Sequence, residues 1–278
     1  MTSTLGDQLV PEIAIAGYSG MKVTQGRVIK SEWTKFRSLR STNITLLISV
    51  ALTVGLGALI SALTASHWSQ SSIVERASFN AVVTSLSGIS ISQLAVGVLG
   101  VLLISGEYAT GMIRASLTAV PKRLPVLWAK LAVFASVVGL VSLVSTFAAF
   151  FLGQSLLSGQ HLQVSISSPN AARMVAGAAL YLVLVGIIGM ALGGIFRSTA
   201  AGISSLVALF FVIPPVLDLL PTSWSNNISP YMPSNAGEAF WGHPIGTHLS
   251  ALAGLLVLVL WAALAITTAA IRLRTRDA

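Results

Sequence analysis

The sequence is poor in charge: only 9% of its 278 residues are Asp, Glu, Lys or Arg, whereas 54% are hydrophobic. A soluble domain usually carries about 25% charged residues, which keep its surface solvated. A soluble globular fold is therefore excluded, because the apolar faces of this chain need a bilayer as their solvent. Cysteine is absent, which excludes disulfides, thiolate metal sites and cysteine nucleophiles.

The sequence also lacks the motifs of an enzyme or of an ion-coupled carrier. It has no Gly-x-x-x-x-Gly-Lys-Ser/Thr stretch to cradle phosphates, and none of its four histidines has a partner at metal-binding spacing. No ionisable residue lies near the middle of an apolar run, where a proton- or sodium-coupled carrier needs one. We therefore predict that the chain is not an enzyme, holds no cofactor or metal of its own, and receives its energy from elsewhere.

Six apolar runs are long enough to cross a bilayer, which takes about 20 residues of helix. They lie at about 44–63, 86–105, 126–152, 174–196, 199–220 and 249–271. These runs predict an all-α integral membrane protein with six transmembrane helices. In the fourth run, Gly189-x-x-x-Gly193 permits close helix contact, either within one subunit or between subunits. In the fifth, Pro214-Pro215 predicts a kink, either as an ordinary packing feature or as a gating hinge.

The basic residues are unevenly distributed between the loops that join these runs. All but two of the 16 Lys and Arg residues fall on one side, and the exceptions are Arg76 and Arg173. By the positive-inside rule, both termini are expected in the cytoplasm. The net charge of +8 then reflects topology, so no nucleic-acid binding is expected. Lys130, near the cytoplasmic end of the third run, is expected to snorkel to the interface.

Three segments outside the six runs differ from one another in composition and periodicity. Residues 1–23 are polar and aperiodic, and we interpret them as a disordered cytoplasmic tail. Residues 24–41 carry Ile29, Trp33 and Phe36 at helical spacing, which predicts an amphipathic helix in the cytoplasmic interface. The Pro- and aromatic-rich segment 221–248 forms either short helices that dip back into the outer leaflet or an ordinary external loop.

The loop between the second and third runs is the most informative part of the sequence. It reads Gly106-Glu107-Tyr108-Ala109-Thr110-Gly111-Met112-Ile113-Arg114, then Pro121-Lys122-Arg123, then Ala129-Lys130. A purely topological loop needs only basic residues. It does not need a carboxylate at the membrane exit, a Gly-centred turn and a second segment that starts with Pro. This loop therefore has a further role than topology.

These residues resemble the permease subunits of ABC-2 type transporters. The resemblance rests on Glu107-Tyr108-x-x-Gly111, the basic Arg114 after it, and Pro121-x-Arg123, and it extends over residues 24–274 through the order of the segments. One departure is Met112, where the family often has Thr. The resemblance implies that Glu107, Tyr108, Gly111, Arg114, Pro121 and Arg123 couple the helices to an ATP-binding subunit, and that Glu107 and Arg114 form ion pairs with the amphipathic helix or with that partner.

The family resemblance further implies a cell-membrane transporter whose two permease subunits, two copies or two paralogues, pair with separate subunits that bind ATP and Mg²⁺. Export is the expected direction, because no cytoplasmic segment has the importer-type Glu-Ala-Ala loop. A neutral or amphipathic cargo is mildly favoured by the Ser, Thr and Gln residues of the helices. The alternatives are a secondary carrier or channel and a non-transporting scaffold or accessory subunit.

Overall fold

The computed structural model describes residues 24–112, 123–242 and 249–275, which form helices and turns with no β-strand among them. The helices are α1 (Gln25–Ser38), α2 (Arg40–Gln70), α3 (Ile73–Ser78), α4 (Ala81–Ser85), α5 (Ile89–Ala109), α6 (Arg123–Leu157), α7 (Ala171–Phe196), α8 (Thr199–Asp218), α9 (Thr222–Ile228), α10 (Pro233–Trp241) and α11 (Ala251–Thr275). The tail predicted at 1–23 lies outside the described residues.

Six of these helices are long and apolar enough to cross a membrane: α2, α5, α6, α7, α8 and α11. Each coincides with one of the six predicted runs, although α2 and α6 are longer than their runs because flanking polar residues continue the helix. The prediction of an all-helical fold with six such helices is confirmed, and this fold fits a multi-pass membrane protein.

Helix α7 is the centre of the bundle. In its apolar window 78% of the residues are buried, against 22% in α8 and in α11. Its glycines allow the backbone of α5 to approach closely: a Cβ atom at Gly189 would lie 2.2 Å from the Gly97 carbonyl oxygen, and one at Gly193 would lie 2.6 Å from that of Val101. The Gly189-x-x-x-Gly193 motif therefore packs helices within one chain, which was the first of the two alternatives.

Two long helices contain a π-helical segment, Leu52–Leu56 in α2 and Ala208–Val212 in α8. The segment in α8 directly precedes Pro214-Pro215. Because proline has no N–H group, the carbonyls four residues earlier lose their ordinary helical donors, and the helix widens there. A local irregularity is thus present where the sequence predicted a kink, whereas a role in gating stays a prediction.

The segment between α8 and α11 folds into short helices as far as residue 242, whereas its re-entry into the outer leaflet stays a prediction. The buried side of α10 packs between α7 and α11, where a Cβ atom at Gly254 would lie 2.4 Å from the Ala236 carbonyl oxygen. The Trp261 Nε1 group donates a hydrogen bond to the Tyr231 carbonyl oxygen at 2.9 Å. Since Trp261 lies ten residues inside α11, this segment runs about 15 Å back along the bundle.

The bundle has two distinct ends. At one end, which we call the basic end, lie α1, the start of α2, the end of α5, the start of α6, and the Arg197 and Arg272 side chains. At the opposite end lie α3, α4, α9 and α10. The features singled out in the loop between the second and third runs, as far as they are described, all lie at the basic end.

Candidate functional site

Helix α1 is attached to the bundle although it is not one of the six long helices. The chain is extended at Leu39, with φ −79° and ψ 112°, so α1 is separated from α2 and turns along the start of α6. Its buried side chains, Val28, Glu32 and Phe36, recur every four residues and so form one stripe that faces the bundle. The centre of that stripe is a carboxylate, which needs a partner.

Four charged side chains from three helices meet at this point, and we call them the ion cluster: Glu32 and Lys35 of α1, Glu107 of α5 and Lys130 of α6. The Lys130 ammonium group lies 2.5 Å from Glu32 Oε2 and 2.9 Å from Glu107 Oε1. The Lys35 ammonium group lies 2.9 Å from Glu32 Oε1 and 3.2 Å from Glu107 Oε1. Each lysine thus bridges both carboxylates, and the charges of the cluster sum to zero.

The ion cluster is largely shielded from solvent. Glu32 and Lys130 are each 4% exposed and Glu107 is 9% exposed. Burying an ion costs several kcal/mol, and only well-placed opposite charges and hydrogen bonds compensate for that cost. Removal of one partner from a buried pair destabilises a protein by about 3–5 kcal/mol, because an uncompensated charge stays behind. The cluster therefore strongly favours one arrangement of α1, α5 and α6.

The charges in the cluster also shift the protonation equilibria of α1. Burial alone would raise the pKa of the Glu32 carboxyl, but the ammonium groups of Lys130 and Lys35 outweigh burial and hold that pKa below its ordinary value. Burial opposes the charged form of Lys35, yet its contacts with Glu32 and Glu107 raise the pKa of its ammonium group above the ordinary value. Both groups are therefore ionised at neutral pH.

A second set of contacts ties the end of α5 to the ends of α7 and α11. The Arg197 guanidinium lies over the Tyr108 ring, 5.0 Å from its centroid. Arg197 also donates to the Arg272 carbonyl oxygen at 3.3 Å, and Arg272 donates to the Ile195 carbonyl oxygen at 2.7 Å. These arginines bind carbonyls at helix C-termini, where positive charge is favourable. The end of α5 thus contacts the ion cluster through Glu107 and the Arg197 side chain through Tyr108.

The predicted coupling residues are only partly within the described residues. Glu107 lies in the ion cluster and Tyr108 lies under Arg197, whereas Gly111 has a φ of +71° in the turn after α5, a conformation that favours glycine. Arg114 and Pro121 lie outside the described residues. Arg123 begins α6, and its side chain is likewise outside them.

Two expectations about the basic end need correction. Lys130 does not snorkel to an interface: its ammonium group is buried, because two carboxylates bind it inside the protein. Ile29, Trp33 and Phe36 do not share one environment either. Phe36 is 4% exposed in the core, whereas Ile29 is 37% and Trp33 48% exposed on the flank of α1. The side of α1 that packs on the bundle is rotated toward Val28 and Glu32.

Sequence reasoning missed Glu32 and Lys35. Glu32 is the sole acidic residue between positions 24 and 41, and it stands midway between Val28 and Phe36 at four-residue spacing. A lone carboxylate on the apolar stripe of a basic helix was the signal that could have identified it. Among the described residues, no group of three or more His, Asp or Glu side chains could hold a metal ion.

A cavity of about 310 Å³ lies beside the ion cluster. It lies between the break at Leu39 and the last turns of α5. Its lining comprises the four charged residues, apolar side chains and hydroxyl groups, namely Glu32, Lys35, Phe36, Ser38, Leu39, Ser41, Leu102, Leu103, Gly106, Glu107, Thr110, Met112, Lys130 and Val133. The site thus combines a rigid ionic junction with a space of the size of small-ligand pockets.

No protein-family model matches this chain, and no curated protein matches it in sequence.

Proposed function

We propose that this chain is the membrane-spanning permease subunit of an ABC-2 type exporter in the cell membrane, and that a separate subunit hydrolyses the ATP. The observation that carries the proposal is the ion cluster. It ties the end of α5 and the start of α6, which flank the proposed coupling loop, to the separate helix α1. The resemblance around Glu107 and Gly111 supports the family assignment.

The physical argument concerns how force reaches the helices. A partner that closes on ATP can move the membrane helices only if the segment it touches is stiff and anchored to them. Residues 110–122 begin after the end of α5, which lies two residues beyond Glu107, and they precede α6, which begins seven residues before Lys130. Because these two residues share the cluster with α1, a displacement of the loop is passed to α5, α6 and α1 together.

The orientation follows from charge. The described Lys and Arg residues other than Arg76 and Arg173 lie at the basic end, so by the positive-inside rule we place that end, and with it both termini, in the cytoplasm. In that orientation α1 lies at the cytoplasmic interface, with Ile29 and Trp33 exposed toward the lipid. A cytoplasmic ATP-binding subunit then has access to the proposed coupling loop, and a second permease, either a copy or a paralogue, completes the pathway.

Co-purification with a nucleotide-binding partner is the direct test. The chain is expressed with its native gene neighbours and purified by a tag on its C-terminus, and the complex is expected to contain a P-loop ATPase. A complex with no such chain contradicts the proposal and leaves a scaffold or a secondary carrier. Labelling that places residues 110–122 outside the cell contradicts it as well.

Coupling is tested with variants of the complex. Glu107→Gln keeps the size of the side chain but removes its charge, and it is expected to abolish the change in ATPase rate that the permease imposes on the partner. The matched control is Glu75→Gln, which neutralises a carboxylate at the opposite end and is expected to leave that rate unchanged. An equal effect of the two variants would refute the role of the ion cluster.

A further inference from the structure

The charged residues of α1 fall into two groups. Glu32 and Lys35 belong to the ion cluster, which is neutral as a whole. Lys30 and Arg37 are exposed instead, and their side chains have no hydrogen-bond or ion-pair partner among the described residues. Because Glu32 is the sole acidic residue of α1, the helix offers these two cations no carboxylate of its own. Lys30 and Arg37 are therefore available to an external anion.

Both cations lie on the same flank of α1 as two exposed apolar side chains. Residues three or four apart are neighbours on a helix surface, so Lys30 and Arg37 lie on either side of Trp33 along the helix axis. Ile29 is four residues before Trp33 on the same side. Going round the helix from its buried stripe, the apolar pair comes first and the cations follow. This order is typical of a helix at a bilayer surface.

The position of α1 along the bundle also fits a contact with lipid head groups. Gln25 Nε2 donates a hydrogen bond to the Pro125 carbonyl oxygen at 3.1 Å, and Val28 shares a small buried cluster with Val126. Helix α1 therefore lies along the first turns of α6. The uncharged part of α6, which is suited to the hydrocarbon core, begins only after Lys130. The first turns of α6, and α1 with them, are thus at the level of the head groups.

We infer that the flank of α1 formed by Ile29, Lys30, Trp33 and Arg37 binds an anionic membrane lipid, such as phosphatidylglycerol. The ammonium and guanidinium groups of Lys30 and Arg37 donate to the lipid phosphate, and Trp33 contacts the upper part of its acyl chains. Phosphatidylcholine carries the same phosphate, but its own quaternary ammonium group compensates the charge, so it binds more weakly. The lipid and the ion cluster then hold α1 from two different sides.

The apolar residues of the flank favour a lipid over an acidic protein surface. An acidic surface on a partner subunit could pair with Lys30 and Arg37, but it would leave the adjacent Ile29 and Trp33 without apolar contacts. An anionic lipid provides both a negative head and hydrocarbon within one molecule. The flank therefore matches a lipid in charge and in hydrophobicity.

The first test measures how close each lipid comes to Trp33. The full chain is placed in phosphatidylcholine nanodiscs with a rising fraction of phosphatidylglycerol that has brominated acyl chains, and brominated phosphatidylcholine is the matched label. The Trp33 signal is the difference in fluorescence between the wild type and Trp33→Phe. We expect phosphatidylglycerol to reach half-maximal quenching at about a 25-fold lower fraction than phosphatidylcholine, since each Lys or Arg near the surface contributes about fivefold.

The second test neutralises the cations and leaves the ion cluster intact. Lys30→Gln combined with Arg37→Gln is expected to remove the preference, so that both brominated lipids quench Trp33 at the same fraction. The charge-preserving pair, Lys30→Arg with Arg37→Lys, is the control and should keep the preference. Arg274→Gln removes an exposed cation of α11 at the basic end and should keep it as well. An unchanged unfolding midpoint verifies that each variant is folded, as expected for exposed positions.

Three results would overturn the inference. They are equal quenching by the two lipids in the wild type, a Trp33 that neither lipid quenches, and a preference that survives Lys30→Gln with Arg37→Gln. If the wild type shows no lipid preference and the double variant no longer co-purifies with an ATPase, the flank binds a partner protein instead. The quenching measurement needs no ATPase or cargo. A failure here therefore leaves the proposed transport function standing, and a failure of wild-type co-purification leaves the lipid contact standing.

Discussion

Two junctions at opposite ends of the bundle are held by different kinds of polar contact. At the basic end, four charged groups from three helices form the buried ion cluster. At the opposite end, the neutral Gln154 side chain of α6 donates to the Ala81 carbonyl oxygen at 3.0 Å and to Ser85 Oγ at 2.8 Å, and it accepts from the Val164 N–H group at 2.7 Å. Both junctions fix a short helix onto the bundle, but only one does so with charge.

The difference shows what each junction is suited to. Neutral hydrogen bonds to backbone groups hold α4 in place and change little with pH or with nearby ions. Charged contacts depend on protonation state and on every other charge that approaches, so a charged partner can alter them. A junction between charged side chains is therefore better suited to respond to another subunit. The proposed coupling loop leaves the membrane helices at that junction.

The largest expected effect comes from removing the one buried cation that joins both carboxylates. Lys130→Met leaves Glu32 and Glu107 with Lys35 alone, and we expect it to destabilise the protein by about 3–5 kcal/mol. The measurement is the unfolding midpoint of the detergent-solubilised chain. Lys30→Met removes an exposed cation from α1 and should leave the midpoint nearly unchanged. Equal midpoints for the two variants would show that the ion cluster contributes no stability.

A smaller loss is expected at the opposite end. Gln154→Leu removes three hydrogen bonds and leaves the Val164 N–H group without its acceptor, which should cost about 1–3 kcal/mol. The same unfolding assay measures it, with Gln160→Leu at an exposed position as the control. The loss should not vary with pH between 5 and 9, values chosen to bracket neutrality. A loss larger than that of Lys130→Met would reverse the comparison between the two ends.

The pH dependence of stability should differ between the ends, with an effect smaller than that of deleting Lys130. The lowered pKa of Glu32 contributes stability that is present above the unfolded value of about 4.3 and is lost as pH falls through the folded pKa. The raised pKa of Lys35 contributes stability that is present below about 10.4 and is lost as pH rises through its folded pKa.

Unfolding midpoints measured from below the folded pKa of Glu32 to above the folded pKa of Lys35 check the expectation. Glu32→Gln should flatten the acid limb of the stability profile, since the variant has no carboxyl group to protonate there. Gln154→Leu should leave both limbs as they are in the wild type. An acid limb that persists unchanged in Glu32→Gln would assign the effect to other carboxylates.

The smallest effect is expected from a charge at the opposite end that is not buried. Glu75 is fully exposed and forms a capping box with Ser72 at the start of α3, which also holds its pKa low. Glu75→Gln should speed hydrogen exchange of the α3 amides without a resolved change in the unfolding midpoint. A large shift of the unfolding midpoint would mean that the burial of the ion cluster does not explain its larger contribution to stability.

The sequence predicted the six long helices well because their signal is composition alone. About 20 apolar residues in a row have few other stable states, and the locations of α7 and α8 followed directly from Met174 to Phe196 and from Thr199 onward. Helix α1 was likewise visible as a periodic pattern at residues 24–41. Its bounds, Gln25–Ser38, differ by only a few residues from that expectation.

What could not be predicted is which residues meet. Glu32 and Lys130 are 98 positions apart, and neither local propensity nor hydropathy relates them. The rotation of α1 was also misjudged, because apolar Ile29 and Trp33 suggested the packed side while a carboxylate occupied it. In a membrane protein an apolar side chain is compatible with lipid or with core, so hydrophobicity alone does not separate the two.

The break at Leu39 has a consequence for how the chain is made. Helix α1 leaves the ribosome long before α6, so Glu32 and Lys35 first exist without Glu107 and Lys130. During that interval α1 has none of its partners on α5 and α6, and the extended residue at Leu39 separates it from α2. Docking of α1 is then a late step of assembly, completed only when the third long helix has entered the membrane.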